Sequence, residues 1–284
     1  LPKEYGTYKG TKTFEIEKIC VETNTMSYEN YLNCRNYSLF VRLLNHKLFL
    51  PIHKLIKKLN ISWYELTEAL TKFIKDENFK GKLKDYYNEF CAESRNELFN
   101  TEEEAISFYS NQKNYQQLDK GEIGENLSKK YLAKGLFIYS DVISTIFYLI
   151  KNKFIKDHNK EQIEIIDSSE KWLKNFHMID EIFGNKNLDE NNNFKLKIDF
   201  DFPAWLSETH LPLSQFKENS IYELYYDSQK INILRDKLQS RFGKMSQRAF
   251  ATYLSQTKDG QFDAIQKQFK KINNKQQLVT GTVQ

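Results

Sequence analysis

The sequence predicts a mainly α-helical chain with a small β component, and three observations carry that prediction. Across 284 residues, Gly and Pro are scarce at 10 and 4, while hydrophobic residues make up 40% and aromatics 14%, the balance of a folded, helix-rich chain. Apolar residues recur at steps of three and four through most of the length. Strand-like alternation is confined to two stretches, around Phe14 and around Phe194.

In chain order, Phe14, Ile16, Ile19 and Val21 alternate as a strand, and Glu22 to Thr25 break the pattern. Ser27 is a good N-cap, Glu29 suits the first turn, and Tyr28, Tyr31, Leu32, Leu39 and Leu43 repeat helically, so the opening unit is strand, short turn, helix. Pro51 starts a short helix through Leu55, Ile56 and Leu59. Ser62 with Glu65 caps another, whose inner face is Trp63, Leu66, Leu70, Phe73 and Ile74. Leu83, Tyr86, Tyr87, Phe90, Cys91 and Leu98 mark a third stripe, on which Cys91 reads as a small buried hydrophobe. Thr101 with Glu104 forms a second capping box, leading into Ile106, Phe108 and Tyr109. Ser110 to Glu125, with Gly121 and Gly124, reads as a loop or subdomain boundary.

Helices follow over Asn126 to Leu136 and Phe137 to Phe154, the latter apolar nearly all round and hence central. Another runs from Glu161 to Phe183 and ends at Gly184. After the polar connection Asn185 to Asn193, Phe194, Leu196, Ile198, Phe200 and Phe202 alternate with charged residues as an amphipathic strand that Pro203 stops. Such a strand needs a partner, and the expected one is the strand at Phe14 or else one in the missing portion of a longer protein. Pro203 to Glu208 reads as a helical turn. Ile221 to Tyr226 would pass as a strand, but Ser220 with Glu223 and the spacing of Ile221, Leu224, Ile231 and Leu238 favour helix. Asn273 to Gln284 reads as a frayed tail.

Three cysteines make no disulfide framework, and with no export signal in view the expected home is the cytoplasm. The longest apolar run, Leu136 to Ile150, is broken by Asp141 and falls short of the roughly 20 residues that cross a bilayer, so no transmembrane segment is expected.

The run E-I-E-x-I-C-V-E-T-N-T-M-S-Y-E-N-Y, Glu15 to Tyr31, resembles the segment that closes the catalytic barrel of radical S-adenosylmethionine (SAM) enzymes, in the branch that carries a cobalamin-binding domain. The preceding Leu1 to Gly10 resembles that family's approach to the strand. Asn30 stands where the family usually has Asp. The likeness spans about 40 residues. It implies that residues 1–46 are the end of a (β/α) barrel, a strand plus a helix, and that 47–272 are a helical C-terminal region with one strand near 194–202.

The same likeness implies a 4Fe-4S cluster, SAM and possible use of cobalamin in a longer protein, where cleavage of SAM gives a deoxyadenosyl radical acting on an unknown small-molecule or lipid-like substrate. The cluster needs three thiolates in a C-x3-C-x2-C loop, whereas Cys20, Cys34 and Cys91 are far apart. The expectation is therefore a C-terminal portion, inactive alone, whose partner is an N-terminal radical SAM domain. It binds no cofactor or metal by itself and has no catalytic residue of its own. Glu22, Thr23, Asn24 and Thr25, at the C-terminal end of a barrel-type strand, are where cofactor or substrate contacts would fall by analogy with other barrels.

Other chemistry is sparse. His46, His53, His158, His177 and His210 lack metal-ligand spacing. Asp199 and Asp201 would share one strand face with Lys195 and Lys197, which favours a solvated surface over a cation site. Gly121 and Gly124 cannot shape a phosphate cradle. From Arg235 to Lys275 there are ten Lys or Arg against three Asp. Lys244, Arg248, Lys258, Lys267, Lys270 and Lys271 interleave with Phe242, Phe250, Tyr253, Phe262 and Phe269, so the rival reading is a helical nucleic-acid or protein interaction module. A net charge of only +4 disfavours nucleic acid.

Overall fold

The computed structural model describes residues 2–120, 123–124, 126–155, 160–176, 194–207, 212–225, 227–243, 253 and 267–272. It is mainly helical with two small sheets.

The chain opens on an antiparallel hairpin, β1 (Pro2–Tyr8) and β2 (Thr11–Ile16), with Tyr8 opposite Thr11. Lys9 (φ 46°) and Gly10 (φ 82°) both adopt left-handed backbone, which a two-residue hairpin turn requires in order to match the strand twist. This corrects two expectations. The strand ends at Ile16 rather than Val21, and its partner is β1 rather than the segment at Phe194. Strand pairing is decided by the closest compatible neighbour, and the tight turn supplies one.

Helix α1 (Tyr28–Leu44) starts where Ser27 Oγ accepts from the Asn30 N–H at 3.3 Å, and it buries Leu32, Leu39, Phe40, Leu43 and Leu44. Helices α2 (Leu50–Lys58), α3 (Trp63–Lys75) and α4 (Lys82–Asn96) follow. Ser62 caps α3, and the Lys84 ammonium closes its other end by donating to the carbonyls of Ile74, Lys75 and Asp76 at 2.7, 3.2 and 3.0 Å. A cation there satisfies orphan carbonyls and complements the helix dipole.

Thr101 caps α5 (Glu102–Ser110) through the Glu104 N–H at 3.2 Å, and the Glu104 carboxylate reaches back to the Asn100 N–H at 3.1 Å. The expected loop after Ser110 instead holds helix α6 (Gln112–Asp119), started by Asn111 Oδ1 accepting from the Lys113 N–H. Its polar sequence hid it, since only Leu118 is buried.

Helices α7 (Leu127–Phe137) and α8 (Tyr139–Leu149, continued by a π turn to Phe154) meet at an 80° bend, so no single helix among the described residues is long and apolar enough to cross a membrane. Gly135 lies where α7 crosses α1: a Cβ there would sit 2.7 Å from Leu43 Cδ1 and 3.1 Å from the Tyr86 hydroxyl. Helix α9 (Lys160–Phe176) follows.

The second sheet has the order β3 (Phe194–Phe200), β4 (Lys217–Tyr225), β5 (Gln268–Ile272), all antiparallel. Between β3 and β4 lies the short helix α10 (Phe202–Ser207), and α11 (Ser228–Phe242) follows β4. Two expectations change here. The strand ends at Phe200, because Asp201 turns to cap α10, and the segment favoured as helix, Ile221 to Tyr226, belongs to β4 through Tyr225. With β3 and β5 on either side, period-two burial of Tyr222 and Leu224 outweighs the local helical spacing. The expected Gly184 stop, the Asn185 to Asn193 connection and the tail from Asn273 lie outside the described residues.

Two hydrophobic clusters result. The main core joins α1 to α4, α7 to α9, β3, β4, α10 and α11. A small satellite of Ala105, Tyr109 and Leu118, with Phe14, Ile16, Phe99 and Ile123 against it, holds the hairpin to α5 and α6. The expected opening unit is thus split between them: α1 packs in the main core, β2 in the satellite.

Candidate functional site

Between β2 and α1 runs a segment without regular secondary structure, residues 17–22, followed by a turn. In the turn Thr23 and Met26 form an isolated bridge, with the Thr23 N–H donating to Met26 O at 2.8 Å. Thr23 Oγ1 accepts from the N–H groups of Thr25 and Met26 at 3.3 and 3.1 Å, and the two threonine hydroxyls lie 3.4 Å apart. Glu22, Thr23, Asn24 and Thr25 are all exposed. The structure thus ties Thr23 and Thr25 together, with Glu22 and Asn24 projecting from the same turn.

The helix start behind this turn is pinned by charge. Arg95, in the last turn of α4, donates to both oxygens of Glu29 at 2.6 and 2.9 Å, and these hydrogen bonds hold the Glu29 carboxyl below its ordinary range. One turn further, Arg35 pairs with Glu97, a side chain only 10% exposed. Burial pushes the Glu97 carboxyl up, with the Arg35 guanidinium opposing it.

Beside this segment lies a cleft of about 410 Å³. One wall is Ile16 to Ile19 with Val21, and the other is Leu98 to Glu103 with Ala105, at the start of α5. Lys18 and Glu102 face each other across the opening at 2.9 Å. Glu17, Lys18, Glu102 and Glu103 line the cleft together with Ile16, Ile19, Val21, Leu98 and Phe99, so polar and apolar surfaces are mixed, and hydrogen bonds from its own backbone N–H and from Thr101 hold the Glu103 carboxyl below its ordinary range. Among the described residues, no backbone-to-backbone hydrogen bond involves residues 18–21. The capping box that forms one wall was legible in the sequence. That it lies across from the Phe14 strand was not, because nothing local links positions about 80 apart.

The cysteines are dispersed. Cys20 is exposed, its thiol donating to Glu22 O at 3.4 Å; Cys34 is exposed on α1; Cys91 is half-buried on α4, where burial raises its thiol pKa. No group of three or more His, Cys, Asp or Glu is placed to hold a metal among the described residues. His53 stacks on Trp63, ring centroids 3.9 Å apart, with Nε2 3.0 Å from Leu44 O, an arrangement in which the ring donates to the carbonyl. His158, His177 and His210 lie outside the described residues.

Asp199 and Asp201 do not share a face. Asp199 is exposed on β3, whereas Asp201 lies past the strand end and accepts from the Ala204 N–H, the Tyr222 hydroxyl and the Lys271 ammonium at 3.0, 2.5 and 2.6 Å. Of the basic C-terminal side chains, Lys271 is committed to Asp201 and Glu218, and Lys267 is buried, its ammonium donating to Asn175 O at 3.0 Å. Lys244, Arg248 and Lys258 lie outside the described residues.

Comparison with family models, with curated proteins and with solved structures finds no match for this chain.

Proposed function

We propose that this chain is the C-terminal portion of a radical SAM enzyme. The observation that supports the reading is the run Glu15 to Tyr31. Its order of residues resembles the family segment, and its layout here is a strand ending at Ile16, residues 17–22 without regular structure, an exposed turn at Thr23 to Met26 and a Ser27-capped helix. Under this reading Glu22, Thr23, Asn24 and Thr25 face the cofactor or substrate held by the rest of the enzyme.

The residues of this chain do not fit a 4Fe-4S cluster. Cys20, Cys34 and Cys91 stand on three separate elements, and the Cys91 thiol is held protonated by burial rather than poised as a thiolate. The cluster, SAM and any cobalamin therefore belong to an N-terminal radical SAM domain, and the helical body supports and covers the open side of its barrel. The substrate class is a small or lipid-like molecule.

The reading frame directly upstream of Leu1 is the test. It should encode a C-x3-C-x2-C motif, and the extended protein, reconstituted anaerobically with iron and sulfide, should release 5′-deoxyadenosine from SAM while the present chain gains no stable cluster absorption. An upstream frame without the motif, or a well-formed cluster on this chain alone, overturns the proposal.

A further inference from the structure

The hairpin is a self-contained element on a loose tether. Its strands pair with each other from Pro2 opposite Ile16 to Tyr8 opposite Thr11, and Phe14 and Ile16 pack in the satellite rather than in the main core. Contacts with α5 and α6 seat it. Tyr5 donates to Leu118 O at 3.1 Å and Lys12 to Ser110 O at 2.8 Å, the Thr7 and Tyr115 hydroxyls lie 3.2 Å apart, and the Phe14 ring meets those of Tyr109 and Tyr115 at 6.2 and 6.0 Å. The tether is residues 17–22 with the turn behind them, and among the described residues no backbone-to-backbone hydrogen bond involves residues 18–21. The Lys18–Glu102 pair joins two exposed side chains, where an ion pair holds little. Past the turn, α1 is anchored in the main core, so arm and body part at one place.

We infer that the hairpin is an exchangeable arm: residues 2–16 of one copy leave their seat and take the same place on α5 and α6 of a second copy, giving a reciprocally swapped dimer. The fit of the occupant is seen directly. The surface that receives the second copy's hairpin is the one this hairpin covers, with Phe14 and Ile16 against Ala105, Tyr109 and Leu118. Exchange repeats the same contacts between chains, so its cost is the closure entropy of the tether and not lost packing. A short flexible tether keeps the arm at an effective concentration on the order of 1 mM, so the closed single chain wins at micromolar concentrations. With the closed arm favoured over the open one by about a hundredfold, an arm deprived of its own seat should bind a free seat with a Kd on the order of 10 μM. The inference needs only the hairpin, α5 and α6, and stands apart from the radical SAM reading.

Complementation between two altered full-length chains is the test. Phe14→Asp spoils the arm and leaves the seat, whereas Leu118→Asp spoils the seat and leaves the arm. At about 100 μM, well above the expected Kd, each alone should sediment as a monomer, and an equimolar mixture should form a one-to-one dimer. Phe14→Asp mixed with the unaltered chain should form far less, since that chain's arm is held by its own seat. Ala105→Asp spoils the seat from α5 instead of α6, and in place of Leu118→Asp it should give the same dimer. The helical circular dichroism of every variant should stay close to that of the unaltered chain, because none of the three residues belongs to the main core.

Mixtures that stay monomeric with both seat variants would overturn the inference, because a freed arm would then find no seat outside its own chain. So would a dimer formed by Phe14→Asp or Leu118→Asp alone, which places the contact between copies somewhere other than the hairpin and its seat.

Discussion

The main core and the hairpin satellite are built on opposite principles. In the main core, α8 sits among other helices with Val142, Ile143, Ile146 and Phe147 fully enclosed, and large aromatics such as Trp172 and Trp205 fill the space against the second sheet. The satellite encloses three residues, and the hairpin is otherwise fixed at its margin. Tyr5 donates to Leu118 O at 3.1 Å, Lys12 donates to Ser110 O at 2.8 Å, and Phe14 and Tyr5 each meet the Tyr115 ring edge-on at 6.0 Å. A two-stranded hairpin is marginal alone, so its order is borrowed from α5 and α6. The difference teaches where opening starts: the segment beside the candidate site belongs to the weaker of the two regions.

The comparison breaks most visibly in the main core. Phe147→Ala should lower global stability by about 3–5 kcal/mol, since a fully buried ring leaves a cavity that crossing helices cannot collapse; denaturant unfolding followed at 222 nm measures it. Gly135→Ala should cost about 1–3 kcal/mol, because the added methyl enters Leu43 and the Tyr86 hydroxyl, whose hydrogen bond to Tyr131 O at 2.9 Å holds α4 on α7. A neutral Gly135→Ala would mean that α1 and α7 are not tightly apposed.

Leu118→Ala sharpens the contrast. It removes the centre of the satellite, and the loss of about 2 kcal/mol should fall on local opening rather than on global unfolding. Amide exchange should accelerate about 30-fold across β1 and β2 while that of α8 stays unchanged. Uniform acceleration would instead mean that hairpin and helical body unfold as one unit.

How much of this was legible depended on whether the deciding partner was local. Ser27, Ser62 and Thr101 each cap the helix expected of them, because a hydroxyl and an N–H three residues on are a local pair. The helix stripes were legible for the same reason. β1 was missed because Glu4, Thr7 and Tyr8 show little alternation and the turn residue before Gly10 is a lysine, not the usual Asn or Asp. β4 was misjudged because Ser220 and Glu223 imitate a helix start, and only β3 and β5, distant in sequence, decide against it. At the candidate site, the turn Glu22 to Thr25 followed from the break in pattern, but the wall from Leu98 to Ala105 is a tertiary fact that no spacing encodes.

The smallest effect expected tests the seam of the second sheet and depends on pH. Burial works against the Asp201 carboxylate, yet hydrogen bonds from Lys271 and Tyr222 outweigh it and hold its pKa below the ordinary Asp value. The sign follows by linkage. A carboxyl depressed in the folded state contributes stability that is fully present above its unfolded pKa of about 3.9, and that is lost as pH falls through the lower folded value. The side chain is only 17% exposed, but its partner Lys271 is 36% exposed, so solvent screening keeps the contribution modest.

Asp201→Asn should therefore lower the melting temperature at pH 7 by a few degrees, on the order of 1 kcal/mol. It should also remove part of the stability that the unaltered chain loses below about pH 4. Because Asp201 joins the start of α10 to β4 and β5, amide exchange in β5 should quicken before that in α9. If Asp201→Asn and the unaltered chain lose stability in parallel as pH falls, the carboxylate is not what ties the third strand to the sheet, and that duty falls to the buried Lys267, which donates to the last carbonyls of α9.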